Sequence, residues 1–239
     1  MTYLEQAPDT LDLAMARAGL SDVEAVWADY VNGPKVRKLS LSSHEAVFYE
    51  GDPADHMYEL ASGTVMLYKL LPDGRRQVVE ILKEGDLFGF QCGRNYDCTA
   101  ETLSGAELRA LSRRDIDVSL SLQRYVGERM FAKMENLHEH AMLLGRKSAM
   151  ERVASYLMRF VPGRGIADCM GPAEGSDVDE GLIELSMTRQ EIADFLGLTI
   201  ETVSRAISEM KRRGLIRIEK QDRIMIPRIC NLCRLTGMH

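Results

Sequence analysis

No apolar run in the 239 residues approaches the roughly 18 that a membrane-spanning helix needs, which excludes a helical membrane protein. There is no surplus of positive charge either. The formal net charge is −6, so a uniformly basic surface for indiscriminate nucleic-acid binding is excluded. Cysteine is sparse and scattered: Cys92, Cys98, Cys169, Cys230 and Cys233 form an odd set, unlike the framework of a disulfide-stapled secreted domain. Cys230 and Cys233 make a lone CxxC with no second pair at zinc-ribbon spacing, and they read as structural thiols rather than a redox or metal site. The first twenty residues carry acids early and lack a basic, apolar, small-residue succession, which predicts no signal peptide and a cytoplasmic protein. Internal repeats are missing. So are a nucleophile–base arrangement, a phosphate-cradling loop and a metal-ligand set, and the chain reads as a non-enzyme.

What is present is ordinary for a globular protein, with 45% apolar and 28% charged residues. Leu11–Tyr30 looks helical. Val36–Leu41, Ala46–Tyr49, Met57–Ala61, Val65–Leu70, Gln77–Leu82 and Glu107–Ser112 are strand-length runs. They are separated by turn signals such as Glu50-Gly51-Asp52-Pro53, Ser62-Gly63 and Pro72-Asp73-Gly74. Many short strands so punctuated predict an antiparallel barrel or sandwich.

After Arg114 the period changes to that of a helix. Leu122, Val126, Met130, Met134, Leu137, Ala141 and Leu144 recur at spacings of three and four, without proline. Such a stripe is either a core helix or a seam between two subunits; its position between two domains favours a homodimer seam. His138, Glu139 and His140 read as a solvated patch rather than a metal site, because the two histidines point to different helix faces. A second helix is expected over Lys147–Phe160. A Gly- and Asp-rich loop follows over 165–181, where Asp168 to Glu180 holds only acids among its charged residues. The organisation expected is therefore α+β: residues 1–114 a helical lead and barrel, 115–145 a dimerisation helix, and 146–239 a C-terminal domain.

That last domain carries the function. Thr188-Arg189-Gln190-Glu191 is a capping box, in which the threonine hydroxyl accepts from the Glu191 N–H and the glutamate reaches back. Ile192, Ala193, Phe195 and Leu196 give a short amphipathic helix that Gly197 closes. Thr199 caps the next helix, which runs to about Arg213. Two short helices joined by a glycine turn make a helix-turn-helix. Ile200, Val203, Ile207 and Met210 form an apolar stripe on the second helix, while Glu201, Ser204, Arg205 and Ser208 take the other side. A recognition helix presents such residues to base edges. Arg205 can donate twice to guanine, Glu201 can accept from a cytosine amino group, and Ser204 permits close approach to a thymine methyl. Thr188, Arg189, Gln190, Thr199 and Thr202 suit phosphate oxygens. Ile216–Ile218 and Ile224–Ile226 look like a two-stranded wing. Basic residues gather here, in Lys211, Arg212, Arg213, Arg217, Lys220, Arg223 and Arg228. A glutamate and an arginine four apart could also be a plain surface ion pair, and a winged helix can bind protein instead of DNA.

These motifs closely resemble the Crp/Fnr family of bacterial regulators. Tyr49-Glu50-Gly51-Asp52-Pro53-Ala54-Asp55 through Gly63, with Gly85-Asp86-Leu87-Phe88-Gly89, is similar to that family's cyclic-nucleotide-binding-type barrel. Met187 through Arg205 is similar to its helix-turn-helix, the most specific part of the match. The resemblance implies a homodimer on double-stranded DNA at a palindromic operator, with RNA polymerase as a further partner. It also implies that an event sensed by the barrel repositions the DNA-binding domains.

Departures place the branch. Cyclic-AMP receptors carry Arg before the recognition Glu and Gly before the recognition Arg; here those positions hold Ile200 and Ser204. Glu-x-x-Ser-Arg instead resembles the Fnr/FixK branch, whose half-sites are of the type TTGAT. Phe88-Gly89 is followed by Phe90 rather than Glu, and the phosphate clamp reads Tyr96-Asp97-Cys98-Thr99, without arginine. A cyclic phosphate beside Asp97 would be poorly compensated, so no cyclic nucleotide is expected. No cysteine precedes Cys92, so the family's iron–sulfur cluster lacks most of its ligands. Haem finds little support, because no histidine falls between His56 and His138. The expectation is an activator of the FixK-like branch on a TTGAT-N4-ATCAA-type palindrome, in oxygen-limitation or nitrogen-related regulation. The rival expectations are a barrel that senses a redox event or small molecule through Cys92, Cys98 or an unrecognised pocket, and a non-DNA interaction module.

Overall fold

The computed structural model describes residues 23–91, 93–162, 179–220 and 222–237. A helix over 23–31 (α1) precedes eight strands: β1 Arg37–Leu41, β2 Ala46–Phe48, β3 His56–Ser62, β4 Val65–Leu70, β5 Arg76–Leu82, β6 Leu87–Phe88, β7 Thr99–Thr102 and β8 Ala106–Ser112. They pair into two antiparallel four-stranded sheets, ordered β1-β8-β3-β6 and β2-β7-β4-β5. Inward-facing Leu60, Val65, Leu82, Phe88, Ala100 and Leu108 are at most 2% exposed and fill the space between the sheets. The first part of the expected leading helix, the expected loop over 165–178, Cys92 and Cys169 lie outside the described residues.

Two strands escaped sequence reading. β6 is two residues long, and β7 is Thr-Ala-Glu-Thr, which lacks the apolar signature. Yet β7 is central, lying between β2 and β4. Its hydroxyls make the burial tolerable: Thr102 Oγ1 accepts from Glu45 N–H at 2.9 Å, and Thr99 Oγ1 accepts from Glu50 N–H at 3.0 Å. The turn between β3 and β4 depends on Gly63, whose φ is +94°. A Cβ there would stand 2.4 Å from the Gly105 carbonyl oxygen and 2.8 Å from Ala106 Cα, both backbone atoms. Gly63→Ala should therefore destabilise the fold by about 2–4 kcal/mol, from strained φ and overpacking together. Urea unfolding monitored by circular dichroism measures this, and an unchanged midpoint would contradict it.

A short helix, α2 (Arg113–Val118), leads into α3 (Leu120–Arg146), the 27-residue connector. Ser119 caps α3, accepting from Leu122 N–H at 3.4 Å. The first turns of α3 pack inward: Leu122, Tyr125 and Val126 join Trp27 and Val31 of α1 and Leu111 of β8, with the Trp27 and Tyr125 rings stacked at 4.2 Å. This corrects the expected seam at its start, since Leu122 and Val126 bury their side chains within the protomer. At the other end Leu144 also packs on the core.

The C-terminal domain comprises α4 (Ala149–Met158), β9 (Gly181–Glu184), α5 (Arg189–Leu196), α6 (Ile200–Arg212), β10 (Arg217–Ile218), β11 (Arg223–Ile226) and α7 (Ile229–Arg234). α4 is two residues shorter at each end than its periodicity suggested, with Ser148 and Glu151 forming a capping box. β9, β11 and β10 form the wing sheet in the order β10-β11-β9. The domain core unites Tyr156 and Leu157 of α4, Ile192, Phe195 and Leu196 of α5, Val203 and Met210 of α6, and Ile224 and Ile226 of the wing.

Candidate nucleic-acid interface

Local chemistry sets the two helices of the interface. Thr188 Oγ1 accepts from Glu191 N–H at 3.3 Å and the Glu191 carboxylate accepts from Thr188 N–H at 2.7 Å, so orphan donors at the start of α5 are satisfied reciprocally. Gly197 ends α5 at φ 60°, ψ 42°, a left-handed cap that costs other residues steric strain. Thr199 then starts α6, accepting from Thr202 N–H at 3.3 Å. The apolar face of α6 is Val203, Ala206, Ile207 and Met210, all buried. Ile200, expected in that stripe, is 37% exposed: it sits in the first turn, before α6 meets its neighbours.

The opposite face of α6 is open. Glu201, Ser204, Arg205 and Ser208 are all exposed. The Glu201 carboxyl is held below its ordinary range by its own backbone N–H and the Thr199 hydroxyl, with Arg205 adding to the effect, so it stays an acceptor. Arg205 Nε lies 3.4 Å from the Glu201 carbonyl oxygen, which leaves most of the guanidinium fork unused. Thr188, Gln190 and Thr199 are exposed and Thr202 is half-buried along the same edge. Gln190 is steadied by Asp194, to which it donates at 2.7 Å. Arg189 is different: it is half-buried, and its Nη1 is shut from solvent without a hydrogen-bond partner. In the last turns of α6 and at its cap, Glu209 pairs with Arg212 at 2.5 Å and Arg213 at 2.6 Å, while Lys211 and, beyond the helix, Arg217 are exposed.

The domain is docked on the barrel through α5. Asp194 takes the Arg76 guanidinium of β5 at 2.9 Å, Gln77 Nε2 donates to the Phe195 carbonyl at 3.4 Å, and His44 lies 3.7 Å from Glu191. Met66 and Val78 of the barrel share one apolar cluster with α5 and α4. Docking also overturns the solvated reading of His140, which is 9% exposed with its ring stacked on Phe195 at 4.4 Å. His138, two residues away, remains exposed as expected. A sequence window along α3 alone cannot signal a partner helix contributed by a distant segment.

On the rest of α3, Met130, Met134 and Leu137 are 46–47% exposed and Ala141 is also open. Phe131 at 68% and Met142 at 61% widen this apolar strip, and periodicity reading missed both. The barrel interior is occupied by protein. Phe48 stacks on Tyr96 at 3.7 Å and on Tyr58 at 5.7 Å, and Phe88 packs beside them. The Tyr96 hydroxyl donates to the His56 carbonyl at 2.7 Å. Asp97 meets Lys69 at 3.9 Å, and Lys69 is shared with Glu50. Burial pushes the Cys98 thiol up to about 12. Among the described residues no cluster of three or more His, Cys, Asp or Glu could hold a metal, and no helix is long and apolar enough to cross a membrane.

Comparison with known proteins agrees with this architecture. Residues 151–235 match the Crp-like helix-turn-helix domain, and residues 38–120 match the cyclic nucleotide-binding domain. The nitrogen fixation regulation protein FixK of Azorhizobium caulinodans is 34% identical over 94% of this chain and 88% of its own length. The transcriptional activator protein FnrL of Cereibacter sphaeroides is 31% identical over 83% of this chain and 79% of its own. Among solved structures, FixK2 from Bradyrhizobium japonicum superposes with a TM-score of 0.70 and 30% identity, covering 84% of this chain and 96% of that one. With a barrel of the nucleotide-binding type, a long connecting helix and an exposed recognition face, the chain belongs to the Crp/Fnr family of DNA-binding transcription regulators, in its FixK-like branch.

Proposed function

We propose that the protein is a homodimeric activator that binds a TTGAT-N4-ATCAA-type palindrome and serves oxygen-limitation, anaerobic or nitrogen-related regulation, with RNA polymerase as its downstream partner. The observation that carries this reading is the open row Glu201, Ser204 and Arg205 on a helix whose other face is buried. These three residues read base edges from the major groove. Thr188, Gln190, Thr199 and Thr202 hold phosphates, and Arg189 joins them by leaving its half-buried position. Met130, Met134, Leu137 and Ala141, widened by Phe131 and Met142, form the seam. The name of FixK supports the nitrogen-related setting, and that of FnrL supports the role of activator. Unbiased selection of bound duplexes by the purified protein tests the reading: enrichment of a two-fold symmetric TTGAT-type site is expected. Enrichment of an unrelated or asymmetric sequence would refute it.

The barrel, in this reading, takes neither a cyclic nucleotide nor an iron–sulfur cluster, and Cys98 is not a redox sensor. A thiol titrating near 12 is almost wholly protonated at neutral pH and reacts slowly. Native Cys98 should alkylate at least about a hundredfold slower than the same residue in urea. Peptide mass spectrometry after a timed iodoacetamide pulse gives the ratio; equal rates would restore the thiol-sensing alternative.

A further inference from the structure

Where barrel, connecting helix and DNA-binding domain meet, a cavity of about 260 Å³ is lined from all three. Its wall is unusual in its unmet polar groups. Both ring nitrogens of His140 and the hydroxyl of Tyr156 are buried without a hydrogen-bond partner, and the two residues are 9% and 0% exposed. Native interiors rarely leave such groups unsatisfied, because each costs desolvation that nothing returns. Arg159 stands at the mouth with its guanidinium 5.3 Å from the centre of the Phe195 ring. Among the described residues no carboxylate lies within ion-pair distance of it. Phe160 meets Tyr156 edge-on at 5.2 Å, and Phe195 stacks on His140, so the walls are aromatic. Three carboxylates act on the Arg159 charge from farther away: Glu139 most, then Glu80, which also pairs with Lys133, and Asp86, which accepts the Lys83 backbone N–H at 2.8 Å.

We infer that this cavity is an effector site for a small organic carboxylate with a flat apolar body. The Arg159 fork takes the carboxylate, Tyr156 and His140 supply further hydrogen bonds, and the aromatic walls hold the body. Its volume lies a little under the range of about 300–1,000 Å³ for drug-sized ligands, which suits a small acid rather than a nucleotide. Arg159 is exposed and the carboxylates around it stand beyond ion-pair distance, so its fork can still take an anion at close range. Because the site takes His140 from α3 and Phe195 from α5, it exists only while the DNA-binding domain is docked as seen. A ligand bound there favours this posture over any other, and so changes DNA affinity. That regulatory step rests on the DNA-binding reading above; the binding step does not.

Titration calorimetry of the full-length protein with benzoate as the probe tests the site. Benzoate should bind with a Kd below about 1 mM, and uncharged benzamide at least about tenfold more weakly. Arg159→Gln should abolish binding. Tyr156→Phe removes an unpaired hydroxyl, so it should fold normally and weaken benzoate several-fold. The site is overturned if benzoate shows no binding up to about 10 mM, if inorganic phosphate binds more tightly, or if both variants bind benzoate as the parent does. In parallel, benzoate should change the affinity for the selected palindrome in the parent but not in Arg159→Gln; no change in the parent overturns the effector role. A protein that binds benzoate yet no DNA would refute the function proposed above and leave the site standing.

Discussion

Replacing Arg205 by alanine should weaken binding to a TTGAT-N4-ATCAA duplex by about 1–3 kcal/mol per half-site and erase the preference at one guanine. Three features make this a recognition effect rather than a folding effect. Arg205 is exposed and touches its own helix only through the long Nε contact to the Glu201 carbonyl. Alanine is the strongest helix former, so α6 keeps its conformation. The helix is held by Val203, Ala206, Ile207 and Met210, none of which contacts solvent appreciably. The loss should therefore be confined to DNA. Fluorescence anisotropy at one fixed salt concentration, on the palindrome and its single-base variants, gives both affinity and preference. A phosphate-contacting arginine would instead weaken all sequences alike and lower the salt dependence by about one counter-ion. Equal losses on cognate and scrambled duplexes would remove Arg205 from base reading.

How much of this was legible in the sequence depends on whether the signal was local. The Thr188/Glu191 box, the Gly197 cap and the Thr199 cap are interactions within four residues, and each stands where its residues predicted. The β3–β4 and β4–β5 turns were legible for the same reason: glycine at positive φ marks them. β7 was not, because its burial rests on hydroxyls that bond to segments about fifty residues away. His140 was misread because the group that covers it, Phe195, comes from another domain. The α3 stripe shows both sides at once. Its helical period was plain, but period cannot say which partner covers each turn. Trp27 of α1 covers the beginning, and the middle is left open.

That open middle makes the second large effect. Met134→Glu should convert the protein from dimer to monomer at micromolar concentration, with affinity for the palindrome falling by at least about a hundredfold. Met134 is 47% exposed in the protomer, so a glutamate there stays solvated and should leave the thermal midpoint of the separated chain nearly unchanged. Across a two-fold seam the same residue is buried twice, and two like charges must lose water together without a partner. Binding two half-sites about one helical turn apart depends on joining two recognition helices. Monomers would lose the effective concentration that the seam provides and bind each arm alone. Sedimentation velocity on parent and variant decides the assembly, and anisotropy on whole and half palindromes decides its consequence. Val118→Glu supplies the control: Val118 is 84% exposed and lies before α3, so it should dimerise and bind as the parent does. If Met134→Glu remains a dimer while Val118→Glu does not, the seam lies on the other end of the connector and the apolar strip from Met130 to Met142 has another partner.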